Sequence, residues 1–271
     1  MTERLSFRGR WVLVTGASSG LGEEMAIQLA AEHGANLILV ARRAERLSEL
    51  ASKLESAHGV RCKVIAADLS RLEDVQRVFH EATAEHEVHA VVLNAGITHF
   101  GKHQDLSWER FETLLQTNLV GVVWLVNNFV RYFAGKHIDG AIMLVSSLAG
   151  IMPVPYQAAY AGSKAFLTNF GQSLSEELRG EPVSITVFSP GGIATPMAHE
   201  SDLRYFENTP FLQDVTSCAA EGLSAMAARR RFHVPGRLNR LQMFLSRFVP
   251  RGFSVALTAA TYRKALKAAG Q

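Results

Sequence analysis

Two tyrosine and lysine pairs recur at a spacing of four: Tyr160 and Lys164 in YAGSK, and Tyr132 and Lys136 in YFAGK. On a helix, positions i and i+4 share a face, so the ammonium lies near the phenol and favours its ionised form. A phenol made more acidic can give or take a proton near neutral pH, which is general acid–base chemistry. Spacing alone does not choose between the pairs. Tyr132 and Lys136 end an apolar helical stretch where Gly135 is expected to close the helix. There Lys136 complements the carbonyl end of the dipole and Tyr132 is a packing residue. Tyr160 and Lys164 instead follow the loop LAGIMPVPYQAA, which leaves the aliphatic run AIMLVS carrying Ser146 and Ser147 at its end. The second pair is the chemical candidate, provided that run is a strand.

The chain supplies strands at regular intervals. Short aliphatic runs at 11–15, 36–41, 62–67, 90–94, 141–146 and 184–188 alternate with helical periodicity at about 21–33, 44–57, 72–86, 107–134 and 156–179. Near-continuous apolar strands separated by helices predict a parallel sheet covered on both faces. Right-handed crossovers then make it an α/β, doubly wound fold, whose ligands sit at the strand carboxyl ends. After 195 a polar and aromatic stretch, HESDLRYFENTPF, is a candidate lid over 195–213; a helix near 212–230 and a basic tail follow. One domain is expected, 1–235, with 236–271 as a helical C-terminal extension of it.

The first strand runs into TGASSGLG, residues 15–22. Gly16 permits a tight turn, Gly20 lets the backbone approach a pyrophosphate, and Gly22 allows close helix packing, while the helix N-terminus offers free N–H groups. The second strand ends in Ala41-Arg42-Arg43, where an acidic residue would be needed to hold a ribose 2′-hydroxyl. Two guanidinium groups suit a 2′-phosphate, so NADP (NADPH) is preferred to NAD.

TGASSGLG, the LNAG of 93–96, Asn118, Ser147, YAGSK and the SPGGIAT of 189–195 together resemble the short-chain dehydrogenase/reductase family over about residues 10–195. The resemblance implies a Rossmann fold and an oxidoreductase interconverting a carbonyl and an alcohol. It implies that Tyr160 is the general acid in reduction and base in oxidation, that Lys164 also holds the nicotinamide ribose, that Ser147 hydrogen-bonds the substrate carbonyl, and that Asn118 anchors a water in a proton relay. Bringing a phenol from about 10 to about 7 takes roughly 4 kcal/mol, for which Lys164 is the expected source. For the cofactor the resemblance implies Ser18, Ser19 and Leu21 in the turn, Asp68 and Leu69 beside the adenine, Asn94, Ala95 and Gly96 on the adenosine side, and Pro190, Gly191, Ile193 and Thr195 near the nicotinamide. Asp68 could equally cap the helix that starts near 71. Leu93 departs from the family's usual NNAG, and the tail FHVPGR replaces the strand and DGG-like turn of many tetrameric members.

The 271 residues, 48% hydrophobic and 20% charged, exclude a mostly disordered chain. A net charge of +3 gives no argument for nucleic acid. No apolar run reaches the roughly 18 residues of a membrane span and MTERLSFRGR is no signal peptide, so a cytoplasmic protein is expected. Cys62 and Cys218 read as buried, reduced thiols. His99 and His103 share metal-pair spacing but lie in a loop with no third ligand, and no metal is expected. Phe100, Met152, Val154, Met197 and Phe206 suggest a hydrophobic or bulky substrate. In the tail Leu238, Leu241, Phe244, Leu245 and Phe248 recur at helical spacing beside Arg240 and Arg247. This stripe is expected to pack on its own domain or a partner subunit; the alternative is a peripheral membrane contact. A homo-oligomer, a dimer in preference, is expected. Two other readings stay open: an NADP-binding regulator without turnover, and a membrane-associated lipid-modifying reductase.

Overall fold

The computed structural model describes residues 4–193 and 212–268. Thr195, Met197, Phe206 and nearly all of the expected lid lie outside the described residues. Seven strands form one sheet: β1 Trp11–Thr15, β2 Asn36–Ala41, β3 Cys62–Ala66, β4 Val88–Leu93, β5 Gly140–Val145, β6 Val183–Phe188 and β7 Phe232–His233. Their order is β3-β2-β1-β4-β5-β6-β7, and every pairing is parallel. The doubly wound α/β fold is therefore the one that the alternating pattern predicts. β7 has two residues, too few to show a period.

Helices cover both faces. On one lie α1 Gly20–Ala31, α2 Ala44–His58 and, from late in the chain, α7 Val215–Ala227. On the other lie α3 Leu72–Glu85, α5 Gly121–Lys136 and α6 Ala158–Glu177, with α4 Trp108–Leu115 leading into α5. Alternation along β1 shows how the strands serve both layers. Val12 and Val14 join the core under α1 and α7, while Trp11 and Leu13 join the core under α3 and α5. Side chains of a strand point alternately to the two faces, so a strand buried on both must be apolar throughout.

The helix expected over 107–134 spans Trp108–Lys136 but contains a π-helical turn at Gln116–Val120. It continues through Gly135 and stops at His137, whose left-handed φ of 53° ends the helix where glycine was expected to. By length and composition this helix could cross a membrane, although no single apolar run in it looked long enough. Instead its Leu125, Val126, Phe129 and Phe133 are buried against the sheet. It is a core helix here.

The tail forms α8 Arg237–Ser246 and α9 Arg251–Ala268, divided at Pro250. Its apolar stripe does not pack on the domain. Leu238, Leu241, Phe244, Leu245 and Phe248 are all exposed, and the buried residue of α8 is Asn239. The anchoring that α8 does have is polar: Glu221 of α7 accepts hydrogen bonds from the Gly236 N–H and from Arg240. Cys218 is a buried free thiol, and Cys62 a half-buried one. Burial pushes both up to about 12, so neither is a thiolate at neutral pH.

Candidate active site

The carboxyl ends of the strands open into a cleft of about 1460 Å³. Gly16, Ser18, Ser19, Gly20, Leu21, Arg42, Arg43, Asp68, Leu69, Asn94, Ala95, Gly96, Ser147, Tyr160, Lys164, Pro190, Gly191 and Ile193 all line it. Gly22 and Asn118 stand behind the lining.

At one end the backbone of TGASSGLG is shaped to receive something. Gly16 and Gly20 hold φ of 69° and 60°, where a side chain is strained. A Cβ on Gly22 would meet the Gly16 carbonyl oxygen and the Asn94 amide nitrogen, each at 2.4 Å, so this glycine lets α1 close onto the turn. Thr15 ties the turn to its neighbour. Its Oγ1 donates to the Val92 carbonyl and accepts from the N–H groups of Asn94 and Ala95 at 3.0 Å. Asn94 Nδ2 returns a bond to the Thr15 carbonyl at 3.1 Å. The N-terminus of α1 then faces the cleft with no side-chain cap on its N–H groups, a cradle that fits a pyrophosphate.

Arg43 folds back over this turn. Its guanidinium donates to Ser18 Oγ at 2.9 Å, to the Ser18 carbonyl at 3.1 Å and to Ser19 Oγ at 2.8 Å. Arg42 beside it is exposed on the cleft wall. Asp68 does not cap α3, whose N-cap is Arg71. Its carboxylate accepts from the N–H and Oγ of Ser70, and its own N–H is held by Asp74, so the carboxylate is fixed at the rim of the cleft.

Below the turn, β5 and α6 meet. Ser146 Oγ donates to the Lys164 carbonyl and pairs with Thr168, which seats α6 on the strand end. A Cβ on Gly150 would stand 2.6 Å from the same carbonyl, so a glycine is needed for that approach. Ser147 Oγ accepts from the Ala149 N–H and also hydrogen-bonds the Tyr160 phenol. Lys164 is buried, with Nζ donating to the Val145 carbonyl at 2.8 Å and standing 5.7 Å from the centre of the Tyr160 ring. Burial lowers Lys164 to about 8, which leaves it mostly a cation at neutral pH. Burial holds the Tyr160 phenol above its ordinary value, and the Ser147 hydrogen bond opposes that. The expected lowering by Lys164 is therefore not in place in the bare protein: the ammonium is spent on a carbonyl and desolvation dominates.

Asn118 lies in the π-helical turn and is fully buried. Its Oδ1 accepts from the Ile97 N–H, while Nδ2 donates to the Ile97 carbonyl and to Ser163 Oγ. It thus ties the exit of β4 to α6. A Cβ on Gly96 would stand 3.3 Å from both Asn118 Oδ1 and Lys164 Nζ, so Gly96 keeps open the space between them.

The comparisons with known proteins agree with this geometry. The short chain dehydrogenase family model matches residues 10–205. The chain belongs to the short-chain dehydrogenase/reductase family. Its relatives include the 7beta-hydroxysteroid dehydrogenase of Collinsella aerofaciens, 33% identical over 69% of this chain and 70% of that one. The glucose 1-dehydrogenase of Gluconobacter oxydans is 32% identical over 70% of this chain and 72% of that one. Among solved structures, one of a 7beta-hydroxysteroid dehydrogenase superposes with a TM-score of 0.78 at 27% identity, covering 90% of this chain and 93% of that one. A short-chain dehydrogenase from Sphingobium yanoikuyae in complex with NADPH also gives 0.78, at 25% identity over 89% and 97%. As a member of this family the chain is an oxidoreductase acting on alcohol and carbonyl groups with a nicotinamide cofactor.

Within this family site the sequence left several residues unmarked. Thr15, Ser146 and Ser163 are ordinary hydroxyls in the sequence, and only the meeting of distant strand ends makes them hubs. The far wall of the cleft was also missed. Leu257, Thr258, Thr261, Tyr262 and Leu266 of α9 line it, with Asn239 of α8 against Gly191. Tyr262 stands 5.5 Å from Phe100, ring to ring, and Leu266 is buried in the same small cluster with Tyr156. Phe100, Met152 and Val154, expected to face substrate, line the cleft here. Amphipathic spacing in the tail marked a helix but not the face that closes a site.

Proposed function

We propose that this protein is a cytoplasmic, NADPH-dependent reductase that interconverts a carbonyl and a secondary alcohol on a hydrophobic, bulky substrate. The observation that carries this reading is the assembly of Ser147, Tyr160 and Lys164 at one end of a cleft whose other end carries Arg42 and Arg43. The turn of Gly16, Ser18, Ser19 and Gly20 with Lys164 would hold a nicotinamide cofactor, which would supply a hydride to the carbonyl carbon when bound in its reduced form. Tyr160 gives its phenolic proton to the carbonyl oxygen, and in the reverse direction takes it back. Ser147 donates a hydrogen bond to that oxygen and orients it. Lys164, held on the Val145 carbonyl, keeps a cation beside the phenolate as it forms. The Asn118 side chain positions Ile97 and Ser163 around them, and Asn118 is the residue we assign to anchoring a relay water.

Four observations support the finer parts. Arg43, fixed on Ser18 and Ser19 beside the exposed Arg42, offers with it two cations after β2 of the kind that suits a 2′-phosphate, and the Sphingobium yanoikuyae neighbour was solved with NADPH. Phe100, Met152, Val154 and Tyr262 give the substrate end an apolar and aromatic wall, and relatives of the chain include enzymes named for hydroxysteroids. Two cysteines left as free thiols suit a reducing compartment. Exposed Trp108, Val120 and Phe166 offer apolar surface for a second copy, and a homodimer completes the proposal.

The test is a fluorescence titration with NADPH and NADH, followed by a panel of bulky and small carbonyls, on wild type, Tyr160→Phe and Arg43→Ala. Tighter NADPH binding, reduced only in Arg43→Ala by roughly tenfold to a hundredfold, with turnover lost only in Tyr160→Phe, is expected. Tight binding without turnover on any carbonyl would favour the regulator reading, and turnover confined to small polar ketones would sink the bulky substrate.

A further inference from the structure

The tail presents an apolar surface that the fold leaves uncovered. Leu241, Phe244, Leu245, Phe248, Phe253 and Leu257 of α8, α9 and the bend between them are all more than half exposed, Phe248 reaching 72%. Solitary exposed apolar residues are ordinary, but a contiguous run of large ones marks an interaction site. The charge around this run has one sign. From Gly222 to Gln271 there is no Asp or Glu, while Arg237, Arg247 and Arg251 stand exposed among the aromatic residues. Arg240 is engaged by Glu221, while Arg263 and Lys264 further along α9 are also exposed.

We propose that α8 and α9 dock this protein on an anionic lipid bilayer, with the phenylalanines and leucines in the acyl boundary and the arginines on the headgroups. Two observations favour this occupant over a second copy. A two-fold contact would set this face against itself and bring two sets of arginines together, with no carboxylate in the tail to offset them. A basic helical surface carrying Phe and Leu has the make-up of one that lies in a membrane interface. The docking has a consequence for the cleft. Leu257 is 59% exposed and also lines the cleft, so the docked face borders its mouth. An amphiphilic substrate would then pass from bilayer to site without crossing water; this last step rests on the proposed reductase, whereas the docking does not.

The experiment is flotation of the full chain with vesicles of phosphatidylcholine alone and of phosphatidylcholine with phosphatidylglycerol in equal parts. Two double variants are compared, Phe248→Ser with Phe253→Ser and Arg247→Glu with Arg251→Glu, and NADPH titration of each shows that the cofactor site is intact. Wild type is expected to float with the anionic vesicles only, and less in high salt. The arginine variant should lose about fivefold for each cation removed, before any repulsion by the new carboxylates, and the serine variant should not float. Flotation absent in wild type, or unchanged in both variants, overturns the proposal. So does a wild-type dimer, measured by light scattering, that the serine variant breaks while no vesicle is bound. Failure of NADPH titration in wild type would fault the reductase reading and leave the docking result standing.

Discussion

Tyr132 with Lys136 and Tyr160 with Lys164 have the same spacing on two neighbouring helices, and nearly the same geometry. Each ammonium lies over its own phenol, 5.2 Å and 5.7 Å from the ring centre. Burial raises both phenols above their ordinary value. What separates them is the surroundings. Tyr132 sits among Phe79, Phe129 and Phe133, its Oη accepts from the Val88 N–H, and Lys136 is exposed. Tyr160 faces a cleft, its hydroxyl meets Ser147, and Lys164 is buried against Val145. On the proposed mechanism, what fits one tyrosine and lysine pair for catalysis and not the other is what it faces: an immobilised cation, a polar partner and room for a substrate.

Breaking each pair in turn tests this contrast. The largest effect is expected for Tyr160→Phe, which removes the proton donor and should lower kcat by about 10²- to 10⁴-fold, while Tyr132→Phe leaves kcat as it was. Steady-state assays on one bulky ketone check both. The next effect is a pH limb. Lys164 loses its proton near 8, so kcat/KM for reduction should fall as pH rises through about 8, and it should approach tenfold per unit above. A profile flat from 7 to 10 would remove the Lys164 cation from the step; Lys136→Met should not alter the limb. Smaller still is the wall of the cleft: Tyr262→Ala is expected to raise KM for a bulky ketone about tenfold, the scale of one lost aromatic contact, with KM for a small ketone unchanged. The smallest is structural. Tyr132→Phe leaves the Val88 N–H without its phenolic partner and should cost about 1 kcal/mol, read as a fall in Tm of about 2–4 °C.

Much of this was legible in advance, for reasons visible in particular residues. β1, β2, β4, β5 and β6 are buried on both faces, and only a continuous apolar run satisfies that, so periodicity finds them. The turn at 15–22 and the pair at 160–164 are local in sequence, and their chemistry is carried by residue types that little else requires. What escaped notice depends on distant partners. The π-helical turn around Asn118 leaves no composition signal, β7 is too short for one, and His137 rather than Gly135 closes α5 because left-handed φ is also open to a polar residue there. The tail stripe showed a helix clearly but not that its apolar face would stay in solvent, since the same spacing serves a core, a partner or a bilayer.

Sequence by itself determined the α/β layering, the glycine turn that can cradle a phosphate, the arginines after β2 and the order of motifs that places this chain in its family. Tertiary structure alone decided which tyrosine meets a serine, that Lys164 is anchored on a strand carbonyl, that Thr15 joins two strand ends, and that α9, about a hundred residues downstream of Tyr160, closes the cleft beside it. The physical reason is range. Strand and turn preferences arise from contacts a few residues apart, whereas the burial, cation and polar contacts that tune a phenol come from segments brought together only when the sheet assembles.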